Sequence, residues 1–109
     1  MSAADEGSGR VIARSPAATA LLPRFLEHRR RDVVTLRAAL ADGDFETIRR
    51  LGHNMAGNGT SYGFPAMSTI GRHLEAEAGA GNSAAVRGQL ASLEACLERV
   101  ADEAKAGEG

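Results

Sequence analysis

The chain has 109 residues, enough for one domain, and its 13 Lys plus Arg against 14 Asp plus Glu give a formal net charge of −1. This balance argues against a dedicated nucleic-acid-binding protein, which usually presents a strongly basic surface. Aromatic residues make up 4% and hydrophobic residues 43%, so we expect an aliphatic core. One cysteine, Cys96, excludes an internal disulfide. No apolar run approaches the roughly 20 residues of a membrane span, and we expect a soluble, cytoplasmic protein.

Residues 1–15 are polar and contain Gly and Ser, which predicts a flexible N-terminal tail, and residues 106–109 are predicted to be a flexible C-terminal tail. Residues 16–105 then form one domain of four segments, all with helical periodicity. The first helix is predicted from Thr19 to Ala41, with Pro23 in its first turn. Its apolar stripe comprises Leu22, Phe25, Leu26, Val33, Leu36 and Leu40.

The remaining helices have clear boundary signals. Gly43 is a candidate C′ residue of the first helix, and Asp44 can cap the second. The third helix is predicted to begin at Pro65 and to end at the Gly-Ala-Gly-Asn break of residues 79–82. The fourth has the heptad-like spacing of a bundle helix, with Val86, Leu90, Leu93, Leu97, Val100 and Ala104. Short connections make consecutive helices antiparallel, so the predicted fold is all-α, an antiparallel up-down four-helix bundle.

The second helix contains more glycine than a stable helix favours. Each glycine inside a helix costs about 1 kcal/mol relative to Ala, yet four lie close together, at positions 52, 57, 59 and 63. At roughly 100° per residue, His53 lies about 200° from both Leu51 and Met55 on the apolar stripe, so its side chain is predicted to be exposed. Its neighbours on the helix surface are Arg49, Arg50, Ala56 and Gly57.

The surroundings of His53 favour a functional residue over an ordinary surface histidine. Ala56 and Gly57 leave room for a macromolecule to approach the ring, and the two arginines place positive charge near any anionic group carried on it. No Asp or Glu occurs from Thr47 to Leu74, which predicts a locally positive surface.

These residues resemble those of histidine-containing phosphotransfer (HPt) domains. The family pattern is His, two residues, Lys-Gly and a further Gly six residues on; here His53-Asn54-Met55-Ala56-Gly57 is followed by Gly63. The resemblance extends from Leu21 to Lys105 and includes the helix break before the pattern and a Leu-Glu pair on the next helix. It implies a four-helix bundle whose exposed histidine accepts a phosphoryl group from one receiver aspartate and passes it to another.

The resemblance assigns roles to individual residues. It implies that His53 is the phosphoacceptor, that Gly57 keeps the approach to the ring open and that Gly63 permits a close helix contact. Ala56 stands where the family commonly has a Lys that neutralises the phosphoryl group, and Arg49 or Arg50 could substitute for it. Glu75 and His73 are candidates for orienting the ring. The predicted docking set comprises Arg49, Arg50, Ala56, Gly57, Thr60 and Gly63.

The resemblance also implies partners. These are the receiver domains of a hybrid sensor kinase and of a response regulator, with Mg²⁺ expected on the receiver.

No nucleotide-binding glycine signature is present, so we expect no ATP-dependent kinase activity. We also expect a monomer with no intrinsic cofactor or metal and no nucleic-acid or membrane partner. Because Ala56 replaces the Lys, a non-catalytic adaptor that binds receivers without carrying phosphate is the alternative. A helical subunit whose exposed stripe serves assembly is a third hypothesis.

Other residues have simpler interpretations. Arg29, Arg30 and Arg31 either extend the docking surface or solvate one face of the first helix. His28 is predicted to be a surface residue, and Cys96 a buried or half-buried small hydrophobic residue.

Overall fold

The computed structural model describes residues 16–62 and 64–108, and the side chains of residues 20, 22–59 and 64–105. Its four helices are α1 (Pro16–Asp42), α2 (Phe45–Tyr62), α3 (Pro65–Gly79) and α4 (Ser83–Glu108), and no strand occurs in this described part. Each helix packs against the next, and α4 packs against α1, which closes the bundle. The predicted all-α four-helix bundle is thus confirmed. None of the described helices is long and apolar enough to cross a bilayer.

Two helix ends differ from their predicted positions. α1 begins at Pro16 rather than Thr19, so Pro23 lies inside the helix and the prediction that it occupies the first turn is wrong. Pro23 has no N–H to donate to the carbonyl of Thr19, and its ring is exposed rather than packed in the core. α4 continues to Glu108, three residues past the predicted end of the bundle at Lys105. The predicted N-terminal tail, residues 1–15, lies outside the described residues.

The connection between α1 and α2 is defined by local chemistry that the sequence predicts. Gly43 has a φ of 69°, in the left-handed region that favours glycine at the end of a helix. Asp44 then caps α2, because its Oδ1 accepts a hydrogen bond from the backbone N–H of Thr47 at 3.1 Å and its Oδ2 accepts one from the Thr47 hydroxyl at 2.6 Å. These hydrogen bonds lower the pKa of the Asp44 carboxyl.

The described core is aliphatic apart from an aromatic pair between α1 and the segment that precedes α3. Phe25 of α1 stacks on Phe64, which precedes α3, with ring centroids 4.3 Å apart and planes 12° from parallel. Such a pair contributes about 0.5–1.5 kcal/mol beyond the burial of its area. Cys96 is buried, as predicted, and burial raises the pKa of its thiol. The predicted stripe residues of α4 are buried, except for Ala104, which is half-buried. The apolar stripe of α3, which is Met67, Ile70, Leu74 and Ala78, is buried as well.

Helices α2 and α3 approach each other closely through three glycines. A Cβ on Gly52 would lie 2.7 Å from the backbone N of Glu75 and the carbonyl O of Gly71. A Cβ on Gly71 would lie 2.6 Å from the backbone N of Ala56, and one on Gly59 would lie 2.7 Å from the backbone N of Ser68. Real Cβ atoms do not approach backbone atoms this closely, so these glycines permit the backbone contact that determines which residues of α3 lie beside α2.

Candidate functional site

His53 projects from the middle of α2, away from the buried residues of that helix. Ile48 and Met55 are fully buried, whereas 71% of the His53 side chain is exposed. The angular argument from the sequence is therefore confirmed for the direction of the imidazole. An exposed histidine on a rigid helix presents its ring to a macromolecular partner without movement of the backbone.

One nitrogen of the His53 ring is held by α3. Nδ1 lies 3.1 Å from Oε2 of Glu75. Because an ionised carboxylate can only accept a hydrogen bond, this contact favours the proton on Nδ1, and in the neutral ring Nε2 then has the free lone pair. The close contact of Gly52 with the backbone of Glu75 brings the two side chains together. Of the two residues predicted to orient the ring, Glu75 contacts it, whereas the exposed His73 makes no hydrogen bond to it among the described residues.

The two arginines before His53 differ in their partners. Arg49 donates from Nη2 to Oε2 of Glu46 at 2.6 Å and from Nε to Oε1 at 3.2 Å. This fork of hydrogen bonds lowers the pKa of Glu46 and raises that of Arg49. Arg50 is exposed and makes no ion pair or side-chain hydrogen bond within the described part of the chain. Arg50 is therefore the less restrained of the two cations beside His53.

Ala56 and Gly57 lie one turn beyond His53 and have different surroundings. Ala56 is half-buried against α3, where its carbonyl accepts a hydrogen bond from the Ser68 hydroxyl at 2.8 Å. Gly57 is exposed, and a Cβ built on it meets no described atom within 4 Å. The packing of the described residues therefore gives no reason for glycine at position 57, in contrast to positions 52 and 59.

An open recess of about 370 Å³ lies between α1 and α2 on the side of His53. Its walls include Arg29, Asp32, His53, Asn54, Gly57 and Asn58. Only 10% of the Arg29 side chain is exposed, and its Nη2 lies 3.1 Å from Oδ2 of Asp32. The prediction that Arg29 extends or solvates the surface is wrong, although Arg30 and Arg31 are exposed.

The burial of Arg29 has a signal in the sequence. Phe25, Arg29 and Val33 are spaced four residues apart, so Arg29 occupies a position on the apolar stripe of α1 rather than between its members. Folding also brings Asp32 and Glu75 to the surroundings of His53. The prediction of a positive surface free of acidic residues is therefore wrong. Residues 47–74 contain no Asp or Glu, but acidic side chains from other parts of the chain lie beside His53 in the folded protein.

Two residues of the predicted docking set lie wholly or partly outside the described part of the chain. Gly63 and the side chain of Thr60 lie outside the described residues. His28 is exposed, as predicted. The described residues contain no group of three or more His, Cys, Asp or Glu side chains that could hold a metal ion.

The architecture and the site define a class of protein: a four-helix bundle that presents from its second helix an exposed histidine, hydrogen-bonded to a carboxylate of the third. Residues 20–103 match the Hpt domain family, and the chain belongs to that family. Members of this family have a phosphotransfer role in phosphorelays and interact with receiver domains of two-component systems. No curated protein and no solved structure shows significant similarity to the chain.

Proposed function

We propose that this chain is a phosphorelay intermediate whose His53 accepts a phosphoryl group from the receiver aspartate of a hybrid sensor kinase and donates it to the receiver domain of a response regulator. The observation that carries the proposal is the environment of the ring: 71% of the side chain is exposed while Glu75 holds Nδ1. This leaves Nε2 as the nucleophile on an accessible face. The open space at Gly57 supports the approach of a receiver from the same side.

The transfer needs few groups from this chain. The lone pair of Nε2 forms the N–P bond as the O–P bond of the receiver's acyl phosphate breaks, and the bonding electrons leave with the receiver carboxylate. Nδ1 keeps its proton, so the ring becomes positively charged. The Glu75 carboxylate accepts a hydrogen bond from Nδ1–H and stabilises this charge. Donation to the second receiver is the reverse step.

The partner supplies the remaining chemistry. Phosphoryl transfer depends on positioning and on neutralising the charge of the phosphoryl oxygens, and Mg²⁺ bound by the receiver would provide most of that neutralisation. The chain would act without its own cofactor and would not phosphorylate itself from ATP. We propose that it works as a monomer in the cytoplasm, with the exposed face of α2 docking on the receiver.

Incubation with a phosphorylated receiver and Mg²⁺ tests the proposal. We expect acid-labile, base-stable label on the wild-type chain, and its loss in His53→Gln. His73→Gln is the matched control, because His73 is also an exposed helical histidine and has no hydrogen bond to His53 among the described residues. Label that persists in His53→Gln, or its absence from the wild-type chain, would contradict the proposal.

The absence of the family's Lys at Ala56 favours one alternative function, an adaptor that binds receivers without carrying phosphate. Receiver binding measured by calorimetry, with no label on His53, would support the adaptor. If the transfer function is right, Arg50→Ala should slow transfer, and Arg49→Ala should slow it less because Glu46 already pairs with Arg49. Ala56→Lys should raise the phosphorylated fraction. Unchanged transfer in both arginine variants would show that neither cation replaces the Lys.

A further inference from the structure

Arg29 is a buried cation whose hydrogen-bonding capacity is only partly used. Nη2 pairs with Asp32, but Nε and Nη1 are buried and have no hydrogen-bond partner among the described residues. The guanidinium lies over the ring of Phe25, with Cζ 5.5 Å from the ring centroid, and Phe25 in turn stacks on Phe64. The protein thus holds a permanent positive charge on an aromatic platform while leaving two of its nitrogens unpaired.

The recess beside His53 has the composition of an anion site. Asn54 and Asn58 contribute amide groups that can donate hydrogen bonds, and Arg29 contributes the positive charge. Among the described residues, the one acidic side chain in the recess wall is Asp32. Burial raises the pKa of the Asp32 carboxyl, and the neighbouring positive charges of Arg29 and His28 oppose this rise.

We propose that Arg29 binds the phosphoryl group carried on His53 and so replaces the family's Lys, whose position Ala56 occupies in this chain. Asp32 pairs with Arg29 until the phosphoryl group displaces the Asp32 carboxylate. This inference rests on the proposed function, since it concerns the phosphorylated state of His53. A phosphoryl group on Nε2 has three oxygens that accept hydrogen bonds, and a guanidinium can donate two parallel bonds to them. Arg29 lines the recess beside His53 from α1, whereas Arg49 and Arg50 lie on α2 itself.

The ion pair with Asp32 makes the site responsive to phosphorylation. In the unphosphorylated chain, Asp32 neutralises Arg29 and limits the cost of its burial. When the phosphoryl group arrives, it competes with Asp32 for the guanidinium, and the two anions repel each other. Removing the charge of Asp32 should therefore favour the phosphorylated chain, and removing the charge of Arg29 should disfavour it.

The test measures how the phosphoryl group distributes between this chain and a receiver at equilibrium, with Mg²⁺ present. Arg29→Met keeps an apolar stem against Phe25 and removes the guanidinium. We expect it to shift the equilibrium toward the receiver by about tenfold, the effect of losing one charge-assisted hydrogen-bonded contact. Arg29→Lys should recover part of the loss, and Asp32→Asn should shift the equilibrium toward this chain by several-fold.

Arg31→Met is the matched control, because Arg31 lies on the same helix and pairs with Glu27 at 3.0 Å, as Arg29 pairs with Asp32, but is exposed and does not line the recess. It should leave the equilibrium unchanged. An independent readout is thermal unfolding: phosphorylation should raise the Tm of the wild-type chain more than that of Arg29→Met, since the phosphoryl contact exists only in the folded state.

The outcomes separate the two proposals. If the wild-type chain takes label on His53 and Arg29→Met behaves like Arg31→Met, the role of Arg29 is wrong while the proposed function stands. If no label reaches His53 at all, both are wrong. If circular dichroism shows that Arg29→Met is unfolded, the test depends on Asp32→Asn alone. A phosphoryl distribution for Asp32→Asn equal to that of the wild-type chain then overturns the inference.

Discussion

Nδ1 of His53 on α2 lies 3.1 Å from Oε2 of Glu75 on α3, 22 positions later in the chain. This contact links the orientation of the exposed imidazole to the packing of α2 against α3, because the backbone of Glu75 lies directly against Gly52, the residue that precedes His53. The reactivity of the ring and the helix contact are therefore parts of one arrangement, and substitutions in either should affect transfer.

Glu75→Ala should slow phosphoryl transfer to His53 by about two- to fivefold, a modest effect because the pair is exposed to solvent. The ring would lose its fixed tautomer and the negative charge that stabilises it during N–P bond formation. Glu75→Gln should have a smaller effect, since its amide oxygen can still accept from Nδ1–H. Rapid-quench measurement of the labelling rate checks both variants. A Glu75→Ala rate equal to that of the wild-type chain would count against a role for the hydrogen bond.

Substitution of Gly57 should preserve the fold of this chain but should interfere with its complex with the receiver. Gly57→Ala should increase the free energy of unfolding by about 0.5–1 kcal/mol, because Ala favours the helix and the space is open. Gly57→Gln should leave the fold intact and slow transfer, since the longer side chain obstructs the receiver. Gly88 on α4 is the control: a Cβ there also meets no described atom within 4 Å. Gly88→Gln should transfer normally, and equal rates for the two Gln variants would refute an approach over Gly57.

Gly52→Ala and Gly71→Ala should both destabilise the protein, by about 1–3 kcal/mol, because each added Cβ would overlap the backbone of the facing helix. Urea denaturation followed by circular dichroism measures the loss. Gly52→Ala should also slow transfer in the folded protein, since separating α2 from α3 moves Glu75 away from His53. If either variant is as stable as Gly88→Ala, the helices are not in the close contact described above.

Asp44 should contribute a pH-dependent part of the stability. Its hydrogen bonds to Thr47 lower the pKa of the folded-state carboxyl below the ordinary 3.8, so its contribution is fully present above pH 3.8 and is lost as the pH falls through the lower, folded-state pKa. Asp44→Asn can still cap the helix but does not titrate, so its Tm should fall less steeply with acid than that of the wild-type chain. Thermal melts from pH 6 to pH 2 make the comparison, and parallel curves would argue against the capping carboxylate.

Local sequence patterns determined much of this protein. The 3.6-residue periodicity identified α2, α3 and α4, Gly43 and Asp44 marked the turn between α1 and α2, and the angle between His53 and Met55 predicted an exposed imidazole. These features depend on residues within about four positions of one another, where backbone geometry and capping hydrogen bonds dominate. The start of α1 was less predictable, because Pro23 favours a helix start but is tolerated here inside the helix.

Only the tertiary structure decided what surrounds His53. Gly52 and Gly59 lie in close helix contacts whereas Gly57 faces open space, although all three are glycines on one helix. Arg29 and Arg31 belong to one basic run, yet Arg29 is buried beside the recess and Arg31 is exposed. Glu75 reaches His53 across the contact between two helices. Such relationships depend on how closely helix backbones approach and at which register, and these follow from packing between segments far apart in the chain rather than from any local pattern.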